Sequence, residues 1–235
     1  RVVDMGVGQP TGNIARGPAR SRERATECVE TGIKLAREEI AAGAAMLASG
    51  DMGIGNTTAS SALVAALTGH PVRQVTGRGT GVSDEQFERK VAVIEQALEA
   101  NQPDRQDALD VLAKLGGFEI AGIVGLILGG AAARVPVVVD GFISSAGWLV
   151  AARLCPRALD YTFAGHRSLE SGHTIVMNVL GQEPLLSLDM RLGEGTGAAL
   201  AMSIVEASAR ILAEMATFAD AGVSAASDAS SALSQ

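Results

Sequence analysis

The run Val135-Pro136-Val137-Val138-Val139 is apolar and β-branched almost from end to end, without the alternation that a strand with one wet face shows. Both of its faces must therefore be covered, and it reads as the central strand of a parallel sheet between layers of helix. It ends at Asp140-Gly141. Similar short apolar runs, at residues 2–7, 45–48, 159–163 and 184–189, read as further strands. Between them lie helical patterns. Residues 21–42 carry Ala25, Cys28, Ile33, Ala36 and Ile40 on one face, which suits a helix covering the sheet from outside. Residues 59–67 are Ala-rich and helical. Ser83 and Gln86 form a capping box for a helix to about Glu99 with Phe87, Val91, Ile94 and Leu98 inward. Residues 104–115 form a shorter helix, 120–133 a helix apolar nearly all round, and 198–214 the last one.

This alternation predicts an α/β fold: three-layer, a mainly parallel sheet with helices on both faces, Rossmann-like. Residues 1–223 are expected to form a single domain, and the Ser/Ala-rich residues 224–235 a mobile tail. With only 3% aromatic residues and 28 Gly, the core must be built from small aliphatic side chains around glycine turns. Lys and Arg number 19 against 26 Asp and Glu, so there is no basic footprint and no nucleic-acid partner is expected. Cys28 and Cys155 have no neighbours at metal-ligand spacing and read as reduced thiols. The longest apolar run, 120–133, is shorter than the roughly 20 residues a bilayer span needs. No signal peptide is visible, and the chain opens on Arg1 rather than Met, as a fragment or processed form would. A cytoplasmic location without a membrane partner is expected.

The chemistry is expected in Arg191-Leu192-Gly193-Glu194-Gly195-Thr196-Gly197-Ala198. Glycines on both sides of Glu194 permit a sharp strand-to-helix turn and leave one carboxylate without bulky neighbours. At the carboxyl edge of a parallel sheet, such a group reaches into the crevice where open α/β folds bind ligands. Two other readings fit the same residues: an acid at a helix start favoured by the helix dipole, and the glycine pattern of a dinucleotide loop. Against the second, an acid inside a pyrophosphate loop repels phosphate.

A second glycine turn, Gly50-Asp51-Met52-Gly53-Ile54-Gly55-Asn56-Thr57-Thr58, opens a helix with two threonines, as a phosphate cradle would; a helix cap needs the same threonine. A third, Thr76-Gly77-Arg78-Gly79-Thr80-Gly81, precedes Lys90, a cation near a helix start that a bound anion would explain; a solvated surface lysine fits the same position. Asp140 faces the same crevice with either a ribose-binding or a loop-bracing role. Ser168, in His166-Arg167-Ser168-Leu169-Glu170-Ser171-Gly172-His173, is a donor for a ligand carboxylate or phosphate. The two histidines lack a tight ligand pair, so no metal is expected.

Taken together, GDMGIGNTT (50–58), TGRGTG with Lys90, VVVDGF (137–142) and RLGEGTGA (191–198) closely resemble the nicotinate-nucleotide:dimethylbenzimidazole phosphoribosyltransferase family of cobalamin assembly. The resemblance runs from about Asp4 to Ser224, and the family carries further sequence before it. It implies transfer of phosphoribose from nicotinate mononucleotide to 5,6-dimethylbenzimidazole, giving α-ribazole 5'-phosphate and nicotinate. Glu194 is implied as general base, and Asp51, Gly53, Ile54, Gly55, Asn56, Thr57, Gly79, Thr80, Gly81, Lys90, Ser168, Leu192 and Gly193 as substrate-binding. Asp51 stands where the family usually has Glu. No cofactor is implied, the partners are the two small substrates, and a homodimer is expected. The alternative is a non-catalytic or truncated nucleotide-binding relative; an NAD-dependent oxidoreductase comes third.

Overall fold

The computed structural model describes Met5 and residues 10–78 and 83–222. The expected strand at 2–7 (Met5 apart) and the tail at 224–235 lie outside these. Contacts group Arg1–Met202 into one compact unit and Ser203–Gln235 into a second.

Among the described residues of the first unit, three short strands form an all-parallel sheet in the order β1 (Leu47–Ala48), β2 (Val137–Val139), β3 (Thr162–Ala164), with Leu47 paired to Val137 and Val138 to Phe163. All three residues of β2 are fully buried, as its unbroken β-branched run requires. Helices supply most of the mass. They are α1 (Arg22–Ala41), α2 (Thr57–Thr68), α3 (Val72–Val75), α4 (Asp84–Asn101), α5 (Ala108–Leu115), α6 (Phe118–Ala132), α7 (Phe142–Leu154), α8 (Ser171–Leu180) and α9 (Thr196–Glu214), the last crossing from the first unit into the second. The α/β class with a parallel sheet is as read from the sequence.

Helices α6 and α7 flank β2 and are buried nearly all round, which is why neither shows an amphipathic period. Helix α1 does not lie over the sheet; it packs on α6 through glycine. A methyl on Gly32 would sit 2.2 Å from the Gly122 carbonyl oxygen, and one on Gly125 2.0 Å from that of Val29. Backbones this close explain why Ile33 and Ile40 are only half-buried while Cys28, Val29 and Gly32 go inside. The capping box forms as expected: Ser83 Oγ accepts from Gln86 N–H, and Gln86 Oε1 accepts from Ser83 N–H.

Three expected elements differ. The segment 184–189 is not a buried strand. It makes one parallel bridge, Leu186 to His166, at the sheet edge before Asp189 turns it away with φ +52°. Pro184 has no N–H to give, and Leu185 and Leu188 are exposed. The strand expected at 159–163 begins only at Thr162, because Pro156–Tyr161 closes a 3-10 helix. The helix expected from 104 starts at Ala108, since Asp107 accepts from the backbone N–H groups of Leu109 and Asp110 and caps it there.

Helix α9 is, among the described residues, the one long and apolar enough by length and composition to cross a membrane. It also carries Glu206, Arg210 and Glu214, the first two in an ion pair of 2.9 Å. In the second unit the chain turns after α9 around Asp220, whose carboxylate accepts from both the N–H and hydroxyl of Thr217.

Candidate active site

The carboxyl ends of the three strands open on a cleft of ≈ 430 Å³ in the first unit. This is within the range of small-molecule sites, at the edge where parallel sheets bind ligands. Strand β1 delivers Asp51, Met52 and Gly53; β2 delivers Asp140 and Gly141, with Phe142 and Ser144 from the start of α7; β3 delivers His166, Ser168 and Glu170; and Arg191, Leu192 and Gly193 close the wall before α9.

After β1, Asp51 folds its own loop. One carboxylate oxygen accepts from Gly53 N–H at 2.7 Å and from the Asn56 amide at 2.5 Å, while Gly53 and Gly55 take φ +81° and +80°. The Asn56 side chain is thereby turned away from the start of α2, which has no side-chain cap. The first N–H groups of that helix are left for an acceptor from outside. Lys90, from α4, brings its ammonium to 3.1 Å from Thr57 Oγ1 and 3.3 Å from the Gly77 carbonyl oxygen. Burial lowers its pKa, and Glu170 nearby opposes that shift.

Before α9, Gly193, Glu194 and Gly195 all lie in the left-handed region, at φ +80°, +59° and +77°. For a glutamate this backbone is strained by about 1 kcal/mol and needs outside support. Two neighbours supply it. The Asp51 carbonyl oxygen accepts from Glu194 N–H at 2.7 Å, and the Asp140 carboxylate accepts from Gly195 N–H at 3.2 Å and from Ala198 N–H at 3.0 Å. The Glu194 side chain is exposed and makes no hydrogen bond or ion pair with a described residue.

Two imidazoles are buried here, His166 in the cleft wall and His173 behind it. His166 Nε2 lies 3.5 Å from Asp140 Oδ1, and His173 Nδ1 lies 3.1 Å from Ser145 Oγ. Burial, with His166 and Arg167 adding to it, lowers His173 to about 4. The described residues contain no group of His, Cys, Asp and Glu arranged to hold a metal ion.

The sequence matches the phosphoribosyltransferase family over residues 1–223. A relative from Geotalea uraniireducens, named nicotinate-nucleotide–dimethylbenzimidazole phosphoribosyltransferase, is 54% identical over 95% of this chain and 68% of its own length. The chain belongs to that family. Relatives of the same name from Geobacter metallireducens and Chloroflexus aggregans are 57% and 58% identical, over 94% and 95% of this chain and 63% of each of theirs. A crystal structure of the Thermus thermophilus enzyme so named matches with a TM-score of 0.84 at 47% identity, over 92% of this chain and 63% of that one. The chain thus spans a little under two thirds of the length of several family members it matches.

Of the site residues expected from the sequence, Asp51, Gly53, Thr57, Ser168, Leu192 and Gly193 line the cleft. Ile54, Gly55 and Asn56 continue the β1 loop beside it. Lys90 stands behind Thr57, and Glu194 follows Gly193. Gly79, Thr80 and Gly81 lie outside the described residues. Arg78, Gly141, Phe142, Ser144, His166 and Glu170 also line the cleft, with no site role expected for them from the sequence. The strand end at Asp140-Gly141 was a usable signal for the β2 group. No local pattern marks His166 or Glu170, because their place in the wall depends on which strand neighbours which. For Asp140, bracing is the role its hydrogen bonds describe.

Proposed function

We propose that this protein transfers phosphoribose from nicotinate mononucleotide to 5,6-dimethylbenzimidazole, with Glu194 as general base. Family membership supports the reaction class, and one observation supports the base: a carboxylate without protein partners among the described residues, on a left-handed turn beside the cleft. The uncapped start of α2 and the Lys90 ammonium receive the 5'-phosphate. Asp51 has a second carboxylate oxygen outside its own loop bonds, available to a ribose hydroxyl. Ser168 and the backbone around Leu192 and Gly193 complete the grip on the nucleotide. Met52, Ile54, Leu169 and Leu192 are large apolar side chains left exposed, and they offer surface to a flat heterocycle.

In the reaction one benzimidazole nitrogen forms a bond to the anomeric carbon while the bond from that carbon to the pyridinium nitrogen breaks. The electron pair returns to the ring nitrogen, which becomes neutral, so nicotinate leaves without the help of a general acid. The other benzimidazole nitrogen gives its proton to Glu194. Attack on the face opposite the leaving group inverts the anomeric centre, through an oxocarbenium-like state. A homodimer in the cytoplasm belongs to the same proposal; the charges on α9 suit a helix on a protein surface better than one in lipid.

Glu194→Gln is the test. The amide keeps the shape but cannot take the proton, so turnover should fall on the order of 10²- to 10⁴-fold with nucleotide binding kept. Unchanged release of nicotinate in the presence of dimethylbenzimidazole would remove Glu194 from the chemistry.

A further inference from the structure

We propose that Asp140 is a positioning residue for Glu194: its buried carboxylate holds the backbone turn that aims the base. This rests on the reading of Glu194 given above. The Glu194 side chain has no described partner, so the point and angle at which it leaves the turn are set by the backbone beneath it. That backbone is three successive left-handed residues, which an unconstrained chain would leave. Asp140 sits at the end of β2, the central strand, and is 2% exposed. One of its oxygens takes Gly195 N–H, directly after Glu194, and the other takes Ala198 N–H in the first turn of α9. It therefore clamps the turn and caps the helix from another element, in the place where a local Ser or Asp would otherwise serve.

His166 packs against the clamp. Its Nε2 is 3.5 Å from Asp140 Oδ1, and its ring lies so close to Gly197 that a methyl there would come within 1.9 Å of Cδ2. Gly197 is thus needed to let the imidazole reach between α9 and the carboxylate. The turn that carries Glu194 is thereby tied to the central, fully buried strand of the sheet rather than to its own loop.

Asp140→Asn tests the idea, because an amide has one oxygen for two N–H groups and turns its own NH2 toward the other. In the protein assayed with nicotinate mononucleotide and dimethylbenzimidazole, kcat should fall on the order of 10²-fold. KM for the mononucleotide should stay within about threefold, and amide exchange should quicken at Gly195 and Ala198. Added to Glu194→Gln, the substitution should cost nothing more, since a mis-aimed base and a missing base fail at the same step. Losses that multiply in the double variant overturn the proposal and leave the Glu194 reading intact. A Glu194→Gln variant with full activity removes both. Should Asp140→Asn not fold, His166→Gln takes its place, with about a tenfold loss in kcat and the same exchange pattern expected. Wild-type kcat and exchange there overturn the proposal.

Discussion

Gly50→Ala puts a methyl where two loops touch backbone to backbone. Gly50 is outside the left-handed region, so alanine itself is unstrained there, and any effect comes from the contact. The added carbon would stand 2.4 Å from Gly195 N, 2.6 Å from Gly195 Cα and 2.9 Å from the Glu194 carbonyl carbon. These are main-chain atoms, and no rotamer change can relieve them. Ordinary contact begins at 3.4 Å, so the β1 loop and the Glu194 turn must part by about 1 Å. The 2.7 Å bond from Glu194 N–H to the Asp51 carbonyl oxygen is then lost as a good hydrogen bond. Overpacking of this kind costs about 1–3 kcal/mol, which for a chain of this size lowers the melting temperature by roughly 2–4 °C per kcal/mol. Displacing a catalytic group by about 1 Å costs on the order of 10² in rate. Initial rates of nicotinate release give kcat and KM, and a melting curve gives stability. Gly17→Ala, with nothing within 4 Å of the new methyl, is the control. A lowered melting temperature with parental kcat would refute the claim that the position of this turn governs the chemistry.

Two further outcomes are expected. Lys90→Ala should raise KM for the mononucleotide on the order of 10- to 100-fold, the worth of one charge-assisted bond, and lower saturated turnover less. Because burial already lowers the Lys90 pKa, nucleotide binding should weaken with rising pH before an ordinary lysine would titrate, and this limb should vanish in the variant; the reverse KM and kcat pattern would reject the phosphate role. For His173, held near 4 when folded against about 6.5 when unfolded, the unfolded chain binds the extra proton between those values. Stability should therefore fall as pH drops from about 6.5 to 4, by about 3 kcal/mol, and be unaffected by this group above that window. His173→Gln should flatten that part of a denaturation-against-pH profile, and an unchanged slope would show the imidazole is not buried neutral.

Much of the scaffold is legible in the order of residues because its causes are local. Val137–Val139 can be satisfied only inside, Ser83 and Gln86 close their box within one turn, and Gly193 and Gly195 permit a backbone that few other residues adopt. The same holds for the residues that carry the family resemblance, Glu194, Asp51 and Lys90 among them, whose types and spacing can be read without coordinates. The errors fall where a neighbour decides. Residues 184–189 look like a buried strand by composition, yet whether an apolar run is buried depends on what lies beside it, and here it lies at an edge. Residues 104–107 have helical composition, but the Asp107 side chain captures the N–H groups that set the start.

Some properties exist only in three dimensions. Asp140 and Gly195 are far apart in the chain, and nothing in either segment announces the hydrogen bond between them. The same is true of the Asp51 carbonyl and Glu194, of His166 against Gly197, and of Lys90 behind Thr57. The sequence by itself determined which residue types were available and which turns could form, since torsional preference and side-chain chemistry belong to the residue. Only the packing of the sheet decided which turn braces which, because that follows from strand order and register, and these are fixed by the burial of the whole core at once.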